Sequence, residues 1–453
     1  MLALMLGALP LAGQQIPADS VIERVVRERV ESGRAHGLVV GVLEAGQAPR
    51  FVAYGATGEN GGAIDQHTIF EIGSISKTFT ALLLADAVVR GGITLDQPVA
   101  SLLPTAVRVP DYGGTMITLE HLATHRSGLP RLPTNLLAGS DAEDPYAAYD
   151  AAQLYEFLAG HELARAPGTR GEYSNLGAGL LGHALVAASG QPSWAALVES
   201  RITGPLGMTE TFVDVPVELS DRMSRGHAPS GDEVAPWTFD ALAGAGALRS
   251  SAADMISYLA AQLDPPVDSL GVAIRLTQEP RAEFGTNRRI GLGWMIRDNS
   301  DGRSVWWHNG GTGGFASLAA FDPARGVAVV VLSNGGVPVD DIGAWLFDDT
   351  LPLNPPPVPS RRAAIALPAD HLERMVGEYP LAPQFVLTVT RDGDQLWLQA
   401  TGQPRVRLWP FAPDRFFVRE VAAEIWFELG ETGAAAAAIL QQNGRSQRAA
   451  RRP

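Results

Sequence analysis

Gly73-Ser74-Ile75-Ser76-Lys77, running on into Thr78-Phe79-Thr80-Ala81-Leu82-Leu83-Leu84-Ala85-Asp86-Ala87-Val88-Val89-Arg90, is the stretch from which the rest of the chain is read. Lys77 is the only lysine in 453 residues; every other member of the 35 basic residues is arginine. A surface charge or carboxylate clamp accepts guanidinium as well as ammonium. Only the amine, once buried, gives up its proton and serves as a base. The run from 78 to 90 has no Gly or Pro and reads as a buried helix. Positions i and i+3 share a helical face, so a helix opened by Ser74 sets its hydroxyl beside the Lys77 amine. The positive end of the helix dipole there favours an alkoxide or oxyanion. The plain alternative is a serine cap followed by a stray lysine, and the lack of lysine elsewhere weighs against it.

Length and composition bound the rest. A chain of 453 residues exceeds one ordinary core, so two domains are expected. Hydrophobic residues make up 46% and charged residues 19%, a globular balance. The net charge of −14 argues against a nucleic-acid partner. With no cysteine, a disulfide framework, a thiolate metal site and a cysteine nucleophile are all excluded. Met1-Leu-Ala-Leu-Met-Leu-Gly-Ala-Leu-Pro-Leu-Ala-Gly13 resembles the apolar region and cleavage site of a secretory signal, although the basic start is missing. No other stretch approaches the roughly 18 apolar residues of a spanning helix, so a secreted or periplasmic protein without an integral membrane span is expected.

Along the chain, Asp19 to Glu31 carries apolar residues at helical spacing after an acidic start, giving an amphipathic first helix. Leu38–Leu43 and Arg50–Tyr54, joined by a Gly-containing turn, read as a hairpin. Helical stretches follow at 118–124, 150–160, 176–189 and 193–201. Strands return at 291–296, 305–308, 315–321 and 326–332. Strands at both ends with helices between them predict an α/β (α+β) fold: one antiparallel sheet completed by both ends of the region, flanked by helices, with an all-helical lobe inserted in the middle. Leu351-Pro-Leu-Asn-Pro-Pro-Pro-Val-Pro-Ser360 reads as a stiff linker. Beyond it, alternation around the Asp392-Gly393 turn and at 415–419 and 424–428 predicts a small all-β, barrel-like unit. The expected organisation is a signal segment 1–15, a main domain 16–350, a Pro-rich linker 351–365, a β domain 366–445 and a basic, frayed tail 446–453.

A hydroxyl nucleophile needs a proton acceptor, a donor to the leaving group and an oxyanion hole. Gly171-Glu172-Tyr173-Ser174-Asn175 brings a phenol and a carboxamide together just before a helix. Tyr173 serves as a proton shuttle if a cation such as Lys77 lowers its pKa, and Asn175 is suited to hold Lys77 or a substrate carbonyl. Trp307-His308-Asn309-Gly310-Gly311 is a strand end running into glycines, where a peptide-like substrate can add as a further strand and a backbone N–H can face an oxyanion. Taken singly, these stretches are an ordinary turn and a glycine turn.

The three elements in this order, Ser74-Ile-Ser-Lys77, Tyr173-Ser-Asn175 and His308-Asn-Gly310, resemble the serine β-lactamase and penicillin-binding family. Within it they are most similar to class C β-lactamases and their DD-peptidase, D-aminopeptidase and esterase relatives. Ile117–Pro130, Ala243–Ser250 and Gly310–Phe315 look like the same family, so the resemblance covers about residues 20–350. It implies an exported serine hydrolase that acts through an acyl-enzyme on β-lactams or D-aminoacyl amides and peptides. Ser74 would be the nucleophile, Lys77 and Tyr173 would share its proton, and Asn175, His308, Gly310 and Gly311 would bind substrate. The backbone N–H groups of Ser74 and Gly311 would form the oxyanion hole. Whether Lys77 or Tyr173 is the base stays open.

One position departs from the family pattern. Class C members usually carry lysine where this chain has His308, and an imidazole with an ordinary pKa near 6.5 is mostly neutral at pH 7. Histidine resembles certain DD-peptidases and D-aminopeptidases, and it leaves a carboxylesterase on the same fold as an alternative. A non-enzymatic penicillin-binding sensor or scaffold is a second alternative. A small-molecule or peptidoglycan-like substrate is the expected partner, with no cofactor and no metal. The Gly177–Gly182 match to a dinucleotide fingerprint lacks a preceding strand. His121 and His125, one helical turn apart, lack a third ligand nearby.

Overall fold

The computed structural model describes residues 16–136, 144–299, 302–354, 364–382, 385–401, 405–418, 423–430, 433–442 and 445–452. The signal-like segment and the centre of the Pro-rich linker lie outside them. The main sheet has eight antiparallel strands in the order Arg50–Gly55, Gly37–Glu44, Val327–Ser333, Ala316–Asp322, Ser304–Gly311, Met295–Asp298, Arg288–Ile290 and Ala282–Glu283. The first hairpin is zipped onto the returning strand, from Leu38 opposite Ser333 to Glu44 opposite Val327. Both ends of the main region therefore complete one sheet, as the sequence pattern predicts.

The central strands Ala316–Asp322 and Val327–Ser333 are buried at every position, which is why they read as continuous apolar runs rather than as alternation. On one face, Ile22 and Val26 of the first helix and Ile342 and Leu346 of the Asp340–Phe347 helix cover Leu318, Val329 and Val331. On the other face, Met255 and Leu259 of the Ala252–Leu263 helix join Phe79 and Leu82 of the Ser76–Val89 helix over Ala319 and Val330. Closure between the two ends is reinforced by the buried pair Arg29 and Asp341, 2.5 Å apart.

The inserted lobe carries the helices Leu119–Ala123, Ala151–Gly160, Asn175–Ser189 and Trp194–Val198. Their starts are set by side-chain oxygens accepting backbone N–H groups: Thr118 from His121, Asp150 from Gln153, Ser174 from Gly177 and Ser193 from Ala196. Among the described residues four α-helices, Ala252–Leu263, Ser269–Gln278, Asp340–Phe347 and, beyond the linker, Ala369–Glu373, are additional to those predicted. Ser74 does not open an α-helix: Gly73–Ile75 is a single 3₁₀ turn and the α-helix starts at Ser76. The strand expected from 291 begins only at Met295, after Gly293 turns the chain at φ +75°.

The carboxy-terminal unit is an eight-stranded antiparallel meander from Gly377–Ala382 to Arg445–Ala450. Tyr379, Leu387, Phe416, Ile425 and Phe427 fill its core. Its last residues reach back to the first strand, where Arg452 N–H donates to the Glu378 carbonyl at 2.8 Å. The basic segment expected as a frayed tail is therefore a strand, with Ala449 buried and Arg448 paired with Glu428 at 2.6 Å.

Candidate active site

The turn that holds Ser74 is gripped from two sides. Behind it, the short strand Ile69–Glu71 pairs with Arg249–Ser251, and the buried Glu71 carboxylate meets the Arg249 guanidinium at 3.3 Å and the Trp237 N–H at 2.9 Å. In front of it lies the end of the Ser304–Gly311 strand. A methyl at Gly73, which has φ +49°, would stand 2.8 Å from Gly311 N, and one at Gly310 would stand 2.0 Å from the Ile72 carbonyl oxygen. Only glycine lets these two backbones approach so closely. The Ser317 hydroxyl fastens the approach by donating to the Ile72 carbonyl at 2.9 Å.

Lys77 follows on the first turn of the helix, 3% exposed. Its Nζ lies 2.8 Å from Ser74 Oγ and 2.6 Å from the Ala245 carbonyl oxygen. No carboxylate pairs with it among the described residues. Burial first, and the charge of Arg131 second, push the Lys77 amine well below the usual lysine range. The turn that supplies the Ala245 carbonyl is held by Thr80, whose hydroxyl donates to the Gly244 carbonyl at 2.8 Å.

The lobe contributes Tyr173 and Asn175. Lys77 Nζ stands 5.0 Å from the centroid of the Tyr173 ring. Burial pushes the Tyr173 phenol above its ordinary range, opposed by the Ser74 hydroxyl and by Arg131, so it stays protonated. Lys77 does not lower it, contrary to the condition under which tyrosine would act as a base. Asn175 donates from Nδ2 to the Tyr146 hydroxyl at 2.9 Å, while its buried Oδ1 has no partner among the described residues. The sequence left Asn175 between Lys77 and a substrate carbonyl; its amide goes to Tyr146 instead of Lys77.

The strand wall contributes His308, Gly310 and Gly311. The neighbouring strand pairs only as far as Trp307, opposite Met295, so His308–Gly311 has no strand partner on that side among the described residues. His308 is 1% exposed; its Nδ1 lies 2.6 Å from the Asn309 carbonyl oxygen, which makes Nδ1 the protonated nitrogen and Nε2 a lone-pair acceptor. That Nε2 is buried and unpartnered among the described residues. Burial, aided by Lys77, pushes the imidazole down to about 3, so His308 is neutral across the physiological range.

Two further residues border the site. His125, with φ +55°, packs its ring 4.4 Å from that of Tyr173 and accepts the Ser174 N–H on Nδ1 at 3.2 Å. Arg131 places its guanidinium carbon 5.2 Å from the same Tyr173 centroid. Sequence reasoning paired His125 with His121. Instead, His121 completes the cap at Thr118 through its own Nδ1, and the two imidazoles do different jobs. Neither His125 nor Arg131 carried a site signal of its own, because both arrive through the tertiary fold.

The sequence profile of the family described as beta-lactamase matches residues 22–350, and that of a domain of unknown function, DUF3471, matches residues 361–451. The chain is 29% identical over 343 residues to the D-alanyl-D-alanine-carboxypeptidase/endopeptidase AmpH of Escherichia coli (strain K12), covering 72% of this chain and 86% of that protein. It is 29% identical over 362 residues to a beta-lactamase of the same strain, covering 72% and 91%. The crystal structure of a class C beta lactamase from Rhodobacter sphaeroides superposes with a TM-score of 0.62 at 28% identity, covering 73% of this chain and 97% of that one.

Proposed function

The chain belongs to the beta-lactamase family, and from that premise we propose that it hydrolyses β-lactams or D-alanyl peptides by acylating Ser74. It is a serine hydrolase of the class C beta-lactamase and DD-peptidase type. The observation that carries the assignment of roles is the buried, carboxylate-free Lys77 amine 2.8 Å from Ser74 Oγ.

In the proposed sequence, neutral Lys77 takes the Ser74 proton as Oγ attacks the substrate carbonyl carbon. The oxygen gains negative charge between the N–H groups of Ser74 and Gly311, a donor pair of a kind whose members are each worth about 10²–10³ in rate. The carbonyl carbon–nitrogen bond then breaks, the leaving nitrogen takes the Tyr173 phenol proton, and Lys77 returns a proton to Tyr173. Water repeats the attack on the acyl-Ser74 ester with the same groups acting in reverse. Proton transfer of this kind contributes about 10²–10⁴. Asn175 Oδ1 takes a substrate N–H, and the open edge of His308–Gly311 holds the substrate backbone. The signal-like start and a peptidoglycan-type substrate fit a protein working outside the cytoplasm.

Neutral His308 favours a second reading, a carboxylesterase using the same groups on uncharged acyl esters. Intact-protein mass followed over time with benzylpenicillin, for the wild type and Ser74→Ala, tests the first. A transient adduct in the wild type alone supports it. An adduct that persists points to penicillin binding without turnover. No adduct, with rapid cleavage of p-nitrophenyl esters, favours the esterase.

A further inference from the structure

Arg131 stands on the lobe wall of the cleft in a fixed setting. Its carbonyl accepts the N–H groups of Asn175 at 2.9 Å and Leu176 at 3.2 Å, and the preceding Pro130 carbonyl accepts the Ser174 hydroxyl at 2.6 Å. The loop is thereby pinned to the turn that carries Tyr173 and Asn175. Its side chain is exposed, and no carboxylate pairs with it among the described residues. Arg131 and Lys77 lie against the same Tyr173 ring, and the Arg131 charge disfavours protonation of both Lys77 and His125.

The opposite wall has no matching cation among the described residues. His308 spends Nδ1–H on the Asn309 carbonyl and offers only the lone pair of Nε2, to which a carboxylate has nothing to bind. Asn175 Oδ1 is likewise an acceptor. The exposed, uncommitted guanidinium of Arg131 is the group here that suits a ligand with a single carboxylate. The planar guanidinium meets such a carboxylate with two parallel N–H bonds.

We propose that Arg131 is the anion-recognition residue of this site, binding the free carboxylate of an acylated amino acid or β-lactam from the lobe wall. The substrate class is thereby narrowed to carboxylate-bearing amides held by a guanidinium rather than by the strand. This rests on Ser74 acylation, and the test separates the two.

The measurement is kcat/KM for benzylpenicillin and for its methyl ester, in the wild type, Arg131→Gln and Arg131→Lys, with the adduct mass on the methyl ester recorded in parallel. The wild type should prefer the acid. In Arg131→Gln the acid-to-ester ratio should fall about 10–100-fold, the loss of one charge-assisted pair, mainly through KM on the acid. Arg131→Lys should keep part of the ratio. An equal loss on both compounds, leaving the acid-to-ester ratio of the wild type unchanged, would mean that Arg131 acts only through Lys77 and would overturn the proposal. No acid preference in the wild type would overturn it as well. An adduct on the ester in all three proteins keeps acylation standing whatever the ratio does; its absence from the wild type removes the acylation reading and the proposal with it.

Discussion

Gly310→Ala and Gly311→Ala make the same chemical change at adjacent positions, and the structure assigns them opposite outcomes. A methyl at Gly310 would stand 2.0 Å from the Ile72 carbonyl oxygen and 2.4 Å from Ser317 Oγ. Neither neighbour is free to yield, because Ser317 donates to that same carbonyl and Ile72 N–H is bonded to the Leu248 carbonyl at 3.0 Å. Strand and turn must part by about 1 Å, an overpacking cost of about 1–3 kcal/mol. A loss of that size lowers Tm by on the order of 2–6 °C. The same movement separates the Gly311 N–H from the Ser74 N–H, and a 1 Å misplacement at a reacting centre costs about 10²-fold in rate. A methyl at Gly311 meets only the Phe315 carbonyl oxygen, at 3.8 Å, an ordinary contact, so its Tm should stay within about 1 °C of the wild type. Calorimetry with stopped-flow acylation of a chromogenic cephalosporin reads both quantities. Equal Tm and equal acylation rates in the two variants would refute the close approach as the device that sets the oxyanion hole.

Lys77→Arg replaces the neutral amine beside Ser74 with a permanent cation and removes the base, so acylation should slow by about 10²–10⁴ in single-turnover measurements; a loss under threefold would rule out a proton-accepting amine. Buried neutral histidines also set the acid behaviour. His308 is pushed down to about 3 and His125 well below its usual range, so between pH 6.5 and 3 the unfolded chain binds protons that the folded site refuses. Stability should therefore fall as pH drops through that window, and the urea midpoint at pH 4.5 should recover in part in His308→Gln. An acid loss identical in wild type and variant would contradict the burial of a neutral imidazole.

The parts of the site that were legible in the sequence are those where residue identity is chemically exclusive. A single lysine three residues after a serine marked the Ser74–Lys77 contact, whereas the glycines after His308 were read as room for a substrate backbone and at Gly310 that room is taken by the Ile72 carbonyl. The central strands were legible because burial on both faces demands unbroken apolar runs, as in Val327–Ser333. The Ala252–Leu263 helix carries apolar residues at 252, 255, 256 and 259, a readable spacing that loop-rich flanks masked. His125 and Arg131 were not legible as site residues, since their roles come from packing against Tyr173, more than forty positions away in the chain. The last strand was hidden for a different reason: Arg448 of Arg445–Ala450 is exposed and the buried Ala449 is small, so its alternation is weak.

Because Lys77 is the only lysine, protein labelled with ¹³C at lysine Cε gives a single resonance, and its pH titration reads one amine. Burial and Arg131 place its midpoint well below the ordinary lysine value of about 10.4, with kcat/KM rising as pH rises through that midpoint. Removing the nearby charge in Arg131→Gln should move both the resonance and the acid limb of the rate upward together. A midpoint at or above about 10 in the wild type would mean a permanently charged ammonium beside Ser74, and would contradict Lys77 as the base.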